Sequence, residues 1–222
     1  MKVITILKFL MILVLPFILF LLVLNFVGFD NQFYQEKFSE YGVQQNVPEA
    51  VPLHEKVLNF ITGKNDKPPQ EFNEREKQHL FDVRKAVRIS TILLYILIIL
   101  FVLLLIVSSF ILKVNNYITN FVGKVLVFGG FLTVIMAVAL FLLINSDFSK
   151  TFESFHSLLF EKGTYTFDPA KEMIVKLYPE QLFMDLGLKI SKWVILASAI
   201  IILLGTFLIL KSKSKKNKKR GK

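Results

Sequence analysis

Two histidines, His79 and His156, are the residues of this chain best suited to chemistry. His79 shares a helical face with Asp82, three residues on, and precedes an apolar stretch long enough to cross a bilayer. His156 belongs to an apolar helical stripe that runs from Phe152 to Leu159. An imidazole exchanges protons near neutral pH. Two imidazoles facing one another would therefore provide a base and an acid without a covalent intermediate.

The same histidines have ordinary interpretations. His79 could simply be one of several polar residues at the start of a helix. His156 lies in an apolar stripe, where a single histidine is more often a packing residue. A metal site formed by His79, His156 and Asp82 is a further alternative, but two imidazoles are few ligands for a metal ion. We therefore predict no metal ion and no other cofactor. His54, which precedes a predicted short helix at 57–61, is predicted to be solvated and receives no role.

Several familiar catalytic sites are excluded by residue type. The chain has no cysteine, which excludes disulfides, thiolate metal sites and a cysteine nucleophile. It has no Gly-x-Ser-x-Gly nucleophile elbow and no His-Glu-x-x-His zinc helix. Gly63-Lys64 and Gly123-Lys124 lack the glycine spacing of a phosphate-binding loop, so that nucleotide use is not expected.

The elements that must position the histidines are set by hydropathy. Of the 222 residues 54% are hydrophobic, and 23 are phenylalanine, which is more apolar surface than a soluble domain needs. Four stretches are long and apolar enough to span a membrane: 9–29, 89–112, 122–145 and 190–210. The first is too long for a signal peptide and no small-residue cleavage site follows, so we predict that it stays as a membrane helix.

Charge predicts the orientation of these spans. The net charge is +10, and eight basic residues follow the last span: Lys211, Lys213, Lys215, Lys216, Lys218, Lys219, Arg220 and Lys222. After a membrane helix such a tail favours contact with anionic lipid headgroups over nucleic acid. All 17 acidic residues lie in 30–88 and 146–189. We therefore predict both termini in the cytoplasm and both acidic loops outside it.

The predicted fold is an all-α polytopic membrane protein with four transmembrane helices. Its two loops are too small to fold alone and should form one small extracytoplasmic cap of short helices, with a short β element at 164–167. Helix starts are predicted at Asp168-Pro169 and Tyr178-Pro179. The predicted boundaries are 1–29 (N-terminus and first span), 30–88 (first loop), 89–112 (second span), 113–121 (short cytoplasmic loop), 122–145 (third span), 146–189 (second loop), 190–210 (fourth span) and 211–222 (basic tail).

Four motifs carry a resemblance to a known family. In order they are HLFDVR from His79, FHSLLF from Phe155, YTFDP from Tyr165 and LYPEQLF from Leu177. Together with the four-span layout they resemble the lipoprotein intramolecular transacylase (Lit) family of Gram-positive bacteria, over nearly the whole chain. Two positions depart from the family pattern, with Tyr165 in place of a tryptophan and Leu159 in place of a phenylalanine.

The resemblance implies an enzyme of the bacterial cell membrane whose substrate is a diacylglyceryl-modified lipoprotein. The sn-2 acyl chain would move to the α-amino group of the same N-terminal cysteine, giving a lyso-form lipoprotein. The family's two histidines map onto His79 and His156 as the catalytic pair. Asp82 and Asp168 are candidates to orient an imidazole, although Asp82 could pair with Arg84 or Lys85 instead, and Asp168 could only cap a helix. Candidate aromatics that enclose the substrate are Tyr34, Phe155, Tyr165, Phe167 and Tyr178.

The alternative class is a non-enzymatic membrane adaptor or assembly factor that binds partners through its cap. The alternative predicts that both histidines can be replaced without loss of function. A transporter is less favoured because the spans contain almost no ionisable residues. In the transacylase interpretation the site lies at the outer membrane surface, where lipid chains and the cysteine of a lipoprotein meet. The residues alone leave open which histidine acts as the base.

Overall fold

The computed structural model describes residues 2–113, 115–161 and 163–220, without the side chains of 115, 116 and 216–220. Helices account for most of these residues. Their bounds are α1 Lys2–Val27, α2 Asn31–Glu40, α3 Val43–Asn46, α4 Ala50–Ile61, α5 Glu74–Leu112, α6 Asn115–Ser146, α7 Phe148–Leu159, α8 Met173–Leu177 and α9 Glu180–Arg220. The predicted headgroup contact of the basic tail falls partly on 216–222, whose side chains lie outside the described ones.

Four of these helices confirm the all-α membrane fold. α1, α5, α6 and α9 are each long and apolar enough to cross a bilayer. They extend beyond the apolar stretches seen in the sequence, because α5 begins at Glu74 and α9 at Glu180. α6 begins at Asn115 and so includes most of the stretch 113–121 that the sequence assigned to a loop. The chain is thus an integral membrane protein that passes through the bilayer several times.

The described chain divides into two compact units, and the first is built from the apolar parts of the four long helices. Glycines let their backbones approach closely. A Cβ atom on Gly123 would lie 2.7 Å from the carbonyl oxygen of Gly205, and one on Gly205 would lie 2.7 Å from that of Gly123. A Cβ atom on Gly129 or Gly130 would instead meet a side chain, that of Leu15 at 2.7 Å or that of Ile202 at 2.6 Å. Small residues of this kind are the usual contact surfaces between membrane helices.

The second unit consists of Asn25–Ile92 and Leu142–Lys189 and has a core of its own. α2 contributes Phe33, Tyr34 and Phe38, so its aromatic stripe packs in this core. α4, α8 and the first turns of α9 complete the core, which also includes Phe72 and Leu80. The unit therefore has a continuous apolar interior like that of a small water-soluble domain.

α4 is longer than the sequence indicated, and this changes the environment of His54. The helix begins at Ala50, because Pro52 lies in its first turn, where a missing backbone N–H costs no hydrogen bond. His54 therefore lies on the same buried face of α4 as Leu53 and Val57, and it is 1% exposed. The prediction of a solvated His54 was wrong. Its Nδ1 lies 2.8 Å from the hydroxyl of Tyr178.

Two local predictions for the second loop also differ from the structure. Among the described residues the stretch 164–167 forms no strand, because no second extended segment pairs with it. Asp168 starts a turn instead of a helix. Its Oδ1 accepts a hydrogen bond from the Ala170 amide (2.9 Å), and the amide of Glu172 donates to its carbonyl oxygen (2.9 Å). This local bonding competes with helix formation, so that α8 begins only at Met173.

Candidate functional site

His79 is positioned by a closely bonded helix start. Asn73 and Glu76 bond reciprocally: the Glu76 amide donates to Asn73 Oδ1 (2.9 Å) and the Asn73 amide to Glu76 Oε2 (2.7 Å). This is the capping-box arrangement with asparagine as the cap. The other oxygen of Glu76 accepts a hydrogen bond from the Ile174 amide (2.7 Å), which fastens α8 to the first turn of α5. His79, less than one turn further, is 7% exposed.

His156 is positioned by α7 and by one backbone contact. Asp147 caps the start of α7, and its side chain accepts a hydrogen bond from the Lys150 amide (3.1 Å). The Nδ1 atom of His156 lies 2.8 Å from the carbonyl oxygen of Phe152. Because a carbonyl can only accept, Nδ1 must carry the proton. The Nε2 atom of neutral His156 is then an acceptor with a free lone pair.

The two rings form what we call the imidazole pair, His79 and His156. Their centroids are 6.3 Å apart and their planes differ by 22°. The ring of Phe160, the residue that ends α7, lies 5.1 Å from His79 and 5.6 Å from His156. Phe167 lies 5.4 Å from His79, and Tyr165 lies 5.3 Å from His156. These three rings surround both imidazoles, and we call Phe160, Tyr165 and Phe167 the aromatic wall.

The aromatic surroundings keep both imidazoles uncharged at neutral pH. His79 lies on the polar part of α5, before the apolar stretch, and its pKa falls well below its usual value. Burial is the main cause, and the charge of His156 lowers it further. Burial also lowers the pKa of His156, and the bond to the Phe152 carbonyl partly offsets this. The pair therefore offers neutral nitrogens, which can accept a proton or donate a hydrogen bond.

Arg75, one turn before His79 on α5, holds the loop 163–167 that brings two of these aromatics to the pair. Its guanidinium donates to the carbonyl oxygens of Gly163 (3.2 Å) and Thr166. It also lies 5.1 Å over the ring of Phe167 and pairs with Glu172 at 3.5 Å. Glu172 is buried and accepts a hydrogen bond from the Asp168 amide (2.6 Å). Arg75 thus acts on the imidazole pair through the loop.

Replacing Arg75 should loosen the wall of aromatics without removing a reacting group. Arg75→Gln leaves two loop carbonyls without their donor, and we expect the displaced rings to lower the rate about tenfold to hundredfold. The rate should be measured on the purified protein in the acyl-transfer assay that the sequence resemblance implies.

The matched control is Arg84→Gln, on the same helix. Arg84 also bonds a carbonyl (Asn65, 3.1 Å), pairs with a carboxylate (Asp66, 3.0 Å) and lies over a ring (Phe60, 5.0 Å). None of these contacts involves the imidazole pair or a ring that touches it. This variant should keep nearly full activity. Equal losses in the two variants would mean that Arg75 only stabilises the fold.

The remaining residues predicted for the site lie in different places. Phe155 is next to His156, with its ring 5.6 Å away, and is 54% exposed. Tyr34 and Tyr178 surround His54 instead, with ring centroids at 4.1 and 5.7 Å. The hydroxyl of Tyr34 donates to the Gly28 carbonyl oxygen (2.8 Å). These two tyrosines belong to the core of the second unit and not to the wall around the imidazole pair.

Neither predicted carboxylate bonds an imidazole within the described chain. Asp82 is half-buried and makes no hydrogen bond or ion pair there, and Asp168 organises its turn. The Nδ1 atom of His79 is buried without a hydrogen-bond partner among the described residues. No group of three histidine, aspartate or glutamate side chains that could hold a metal ion occurs in that part of the chain either.

Sequence reasoning missed Arg75, Glu76 and Phe160. A signal for Glu76 was present, because asparagine followed three residues later by glutamate is a helix-start pattern. Phe160 belongs to the same motif as His156 but was not singled out. Arg75 had no local signal, since the carbonyls that it binds are about ninety residues further along the chain.

The fold and the site thus define a helical integral membrane protein in which a buried and a half-buried imidazole lie together among aromatic rings. The sequence profile described as lipoprotein intramolecular transacylase Lit matches residues 9–183. Since this is more than half of the chain, the protein belongs to the lipoprotein intramolecular transacylase family. It is therefore a membrane enzyme of the acyl-transferring type that acts on lipoproteins.

Solved structures show the same fold. The membrane-integral lipoprotein intramolecular transacylase Lit from Bacillus cereus, solved in meso, is 22% identical, with a TM-score of 0.83 over 96% of this chain and 99% of that one. Two variants of the Bacillus cereus protein, one with a histidine replaced by arginine and one by alanine, are 21% identical, both with TM-scores of 0.78. They cover 96% of this chain and 95% and 96% of their own. A comparison with curated proteins gave no match.

Proposed function

We propose that the protein moves the sn-2 acyl chain of a diacylglyceryl-cysteine lipoprotein to the α-amino group of that same cysteine. The product is an N-acyl, S-monoacylglyceryl lipoprotein. The observation that carries the proposal is the imidazole pair, with rings 6.3 Å apart inside a wall of aromatics. Membership of the transacylase family supports the class of reaction.

His156 is the base in this mechanism. The amine nitrogen attacks the ester carbonyl carbon, and His156 Nε2 takes the amine proton as the new N–C bond forms. The ester C–O bond then breaks, and the proton passes from His156 to the departing glyceryl oxygen. The hydrogen bond from His156 Nδ1 to the Phe152 carbonyl holds the ring in the tautomer that this step needs. Proton transfer of this kind contributes typically ~10²–10⁴-fold to a rate.

His79 serves as a hydrogen-bond donor. Among the described residues its Nδ1 is buried without a partner, and an unpaired N–H costs more there than an unpaired lone pair. The neutral ring should therefore carry its proton on Nε2, from which it can stabilise the negative charge that develops on the ester oxygen. The aromatic wall supports the mechanism by holding ester and amine together, and good orientation is worth roughly 7–11 kcal/mol in favourable cases.

The decisive test uses purified protein and a synthetic dipalmitoylglyceryl-cysteine peptide. Intramolecular transfer leaves the mass unchanged, so the readouts are loss of amine reactivity and fragment ions that carry an acyl group on nitrogen. A mixture of substrates with and without a deuterated sn-2 chain should give no crossed products. Loss of one acyl chain would indicate a lipase, and crossed products would indicate transfer between molecules. Either result would overturn the proposal.

The pH profile should reveal the lowered pKa of the imidazoles. Reaction needs a neutral amine, with a pKa of about 8, and a neutral base. Below about pH 8 the logarithm of kcat/KM should fall with a slope of one, and the slope should reach two only well below pH 6.5. A histidine with a lowered pKa stays neutral down to a lower pH. The slope of two therefore appears only at that lower pH. A slope of two already near pH 6.5 would contradict the neutral pair.

We also propose that both termini face the cytoplasm and that the imidazole pair faces the outer leaflet. The acid-free termini and the basic tail support this orientation. A reporter fused after Lys222 should be active only in the cytoplasm, and one inserted near Lys64 only outside. The opposite result would place the pair in the leaflet that lacks mature lipoprotein substrates.

A further inference from the structure

One surface of the second unit lacks a protein partner. α7 has a strongly apolar face, yet none of its residues is fully buried. The apolar side chains of Phe155, Leu158 and Leu159 are 54%, 83% and 48% exposed. A helix surrounded by water would pack such a face against the protein core. The described part of the chain leaves about half or more of each of these three residues uncovered, and we call them the α7 apolar face.

The position of α7 in the chain identifies what covers it. A single residue, Asp147, separates α7 from α6, a helix that spans the membrane. The Thr151 hydroxyl donates to the carbonyl oxygen of Leu143 (3.2 Å), and so does the Asp147 amide (3.3 Å). The first turn of α7 is thus tied to the last turns of α6. There, Leu142 and Leu143 are 60% and 56% exposed, as expected for residues that face lipid.

We propose that α7 lies in the plane of the membrane interface, with its apolar face among the acyl chains of the bilayer lipid. Helices of this type bury one face roughly 5–10 Å into the boundary between headgroups and acyl chains. The other side of α7 suits water and headgroups, since Glu153 and Ser157 are polar and exposed. The apolar face then adjoins the exposed side chains of Leu142 and Leu143 at the end of α6. This proposal holds whether or not the imidazole pair is catalytic.

The proposed position of α7 would also determine where His156 lies relative to the lipid. His156 lies on α7 between half-buried Phe152, at a ring distance of 4.0 Å, and exposed Phe155. A helix in the interface would bring this imidazole to the edge of the lipid layer. A lipid-anchored ester could then reach it by sideways diffusion, without leaving the bilayer.

The absence of native cysteine makes a direct test possible. A nitroxide label on Leu158→Cys and a matched label on Glu153→Cys, on the other side of α7, are compared in phosphatidylcholine and phosphatidylglycerol bilayers. Collision with oxygen reports lipid, and collision with a water-soluble nickel chelate reports water. The label at 158 should collide more often with oxygen and the label at 153 more often with nickel. Phe155→Cys gives a second reading of the apolar face.

Two outcomes would overturn the proposal. High nickel access at 158 and 155, equal to that at 153, would place the face in water. Spin–spin broadening at 158 without oxygen access would mean that a second copy of the chain covers the face. Both readouts are independent of acyl transfer, so failure of the proposed function leaves this test intact.

An activity measurement adds the consequence for substrate delivery, which rests on the proposed function. Leu158→Gln should lower kcat/KM about tenfold for a long-chain lipopeptide in vesicles, because the helix loses apolar contact with the lipid. A soluble short-chain analogue should be converted as by the unaltered protein. Equal conversion of the long-chain substrate by both proteins would contradict the delivery role.

Discussion

Asparagine in place of either histidine of the imidazole pair should abolish most acyl transfer while leaving the protein folded and inserted. Asparagine at 156 cannot exchange a proton at neutral pH, which removes the base. Asparagine at 79 is shorter than histidine, so its amide donor no longer reaches the position of His79 Nε2. We expect His79→Asn and His156→Asn each to lose ~10²–10⁴-fold in rate. The double variant should be little worse than either single one, because residues that act as a unit are strongly non-additive. The measurement is the fraction of substrate peptide with an N-acyl group.

The control for these variants must be a residue other than a buried histidine. His54 cannot serve, because it is buried among Tyr34, Phe38 and Tyr178, and its replacement should disturb the core. Gln78→Asn is the better choice, since Gln78 is exposed and precedes His79 on the same helix. It should behave as the unaltered protein. Near-normal conversion by His79→Asn or His156→Asn would make that histidine a packing residue and end the two-imidazole mechanism.

Glu76→Ala should have the largest effect on stability. The carboxylate is 1% exposed and accepts hydrogen bonds from the amides of Asn73 and Ile174. Each amide left without its acceptor costs roughly 1–3 kcal/mol, so the loss of both acceptors should cost about 2–6 kcal/mol. Activity should fall as well, because the same bonds hold the helix start that positions His79. The thermal unfolding midpoint in detergent measures the first effect.

Glu74→Ala provides a matched comparison from the same helical turn. The side chain of Glu74 is 91% exposed, and its one contact within the described residues is a surface ion pair with Lys77 (2.8 Å). Exposed pairs of this kind contribute little, so the unfolding midpoint should hardly move. If the two variants melt alike, burial of the Glu76 carboxylate does not matter for the fold.

Hydropathy predicted the fold because it depends on local composition. Four long apolar stretches predict four membrane helices whatever their neighbours are, and the structure confirms this architecture. The sequence also predicted helical environments for His79 and His156, and the structure brings the two rings together. Their catalytic role stays a prediction.

The environments of Arg75 and His54 could not be predicted because they depend on contacts between distant segments. Arg75 binds carbonyls 88 and 91 residues away, and His54 meets the Tyr178 hydroxyl 124 residues away. No local pattern records such pairings. His54 also lies beside two charged residues, Glu55 and Lys56, which favoured a solvated interpretation although they occupy the other side of the helix.

The backbone contact between Gly123 and Gly205 implies that the two units respond differently to denaturants. Inside a bilayer there is no water to expel, so α6 and α9 are held there by dispersion forces between closely packed backbones. The second unit carries all 17 acidic residues of the chain, so its apolar core forms mainly against water. Urea solvates apolar and peptide groups in water and does not enter the hydrocarbon. The protein should therefore lose the second unit to urea first, while the spans remain helical and paired.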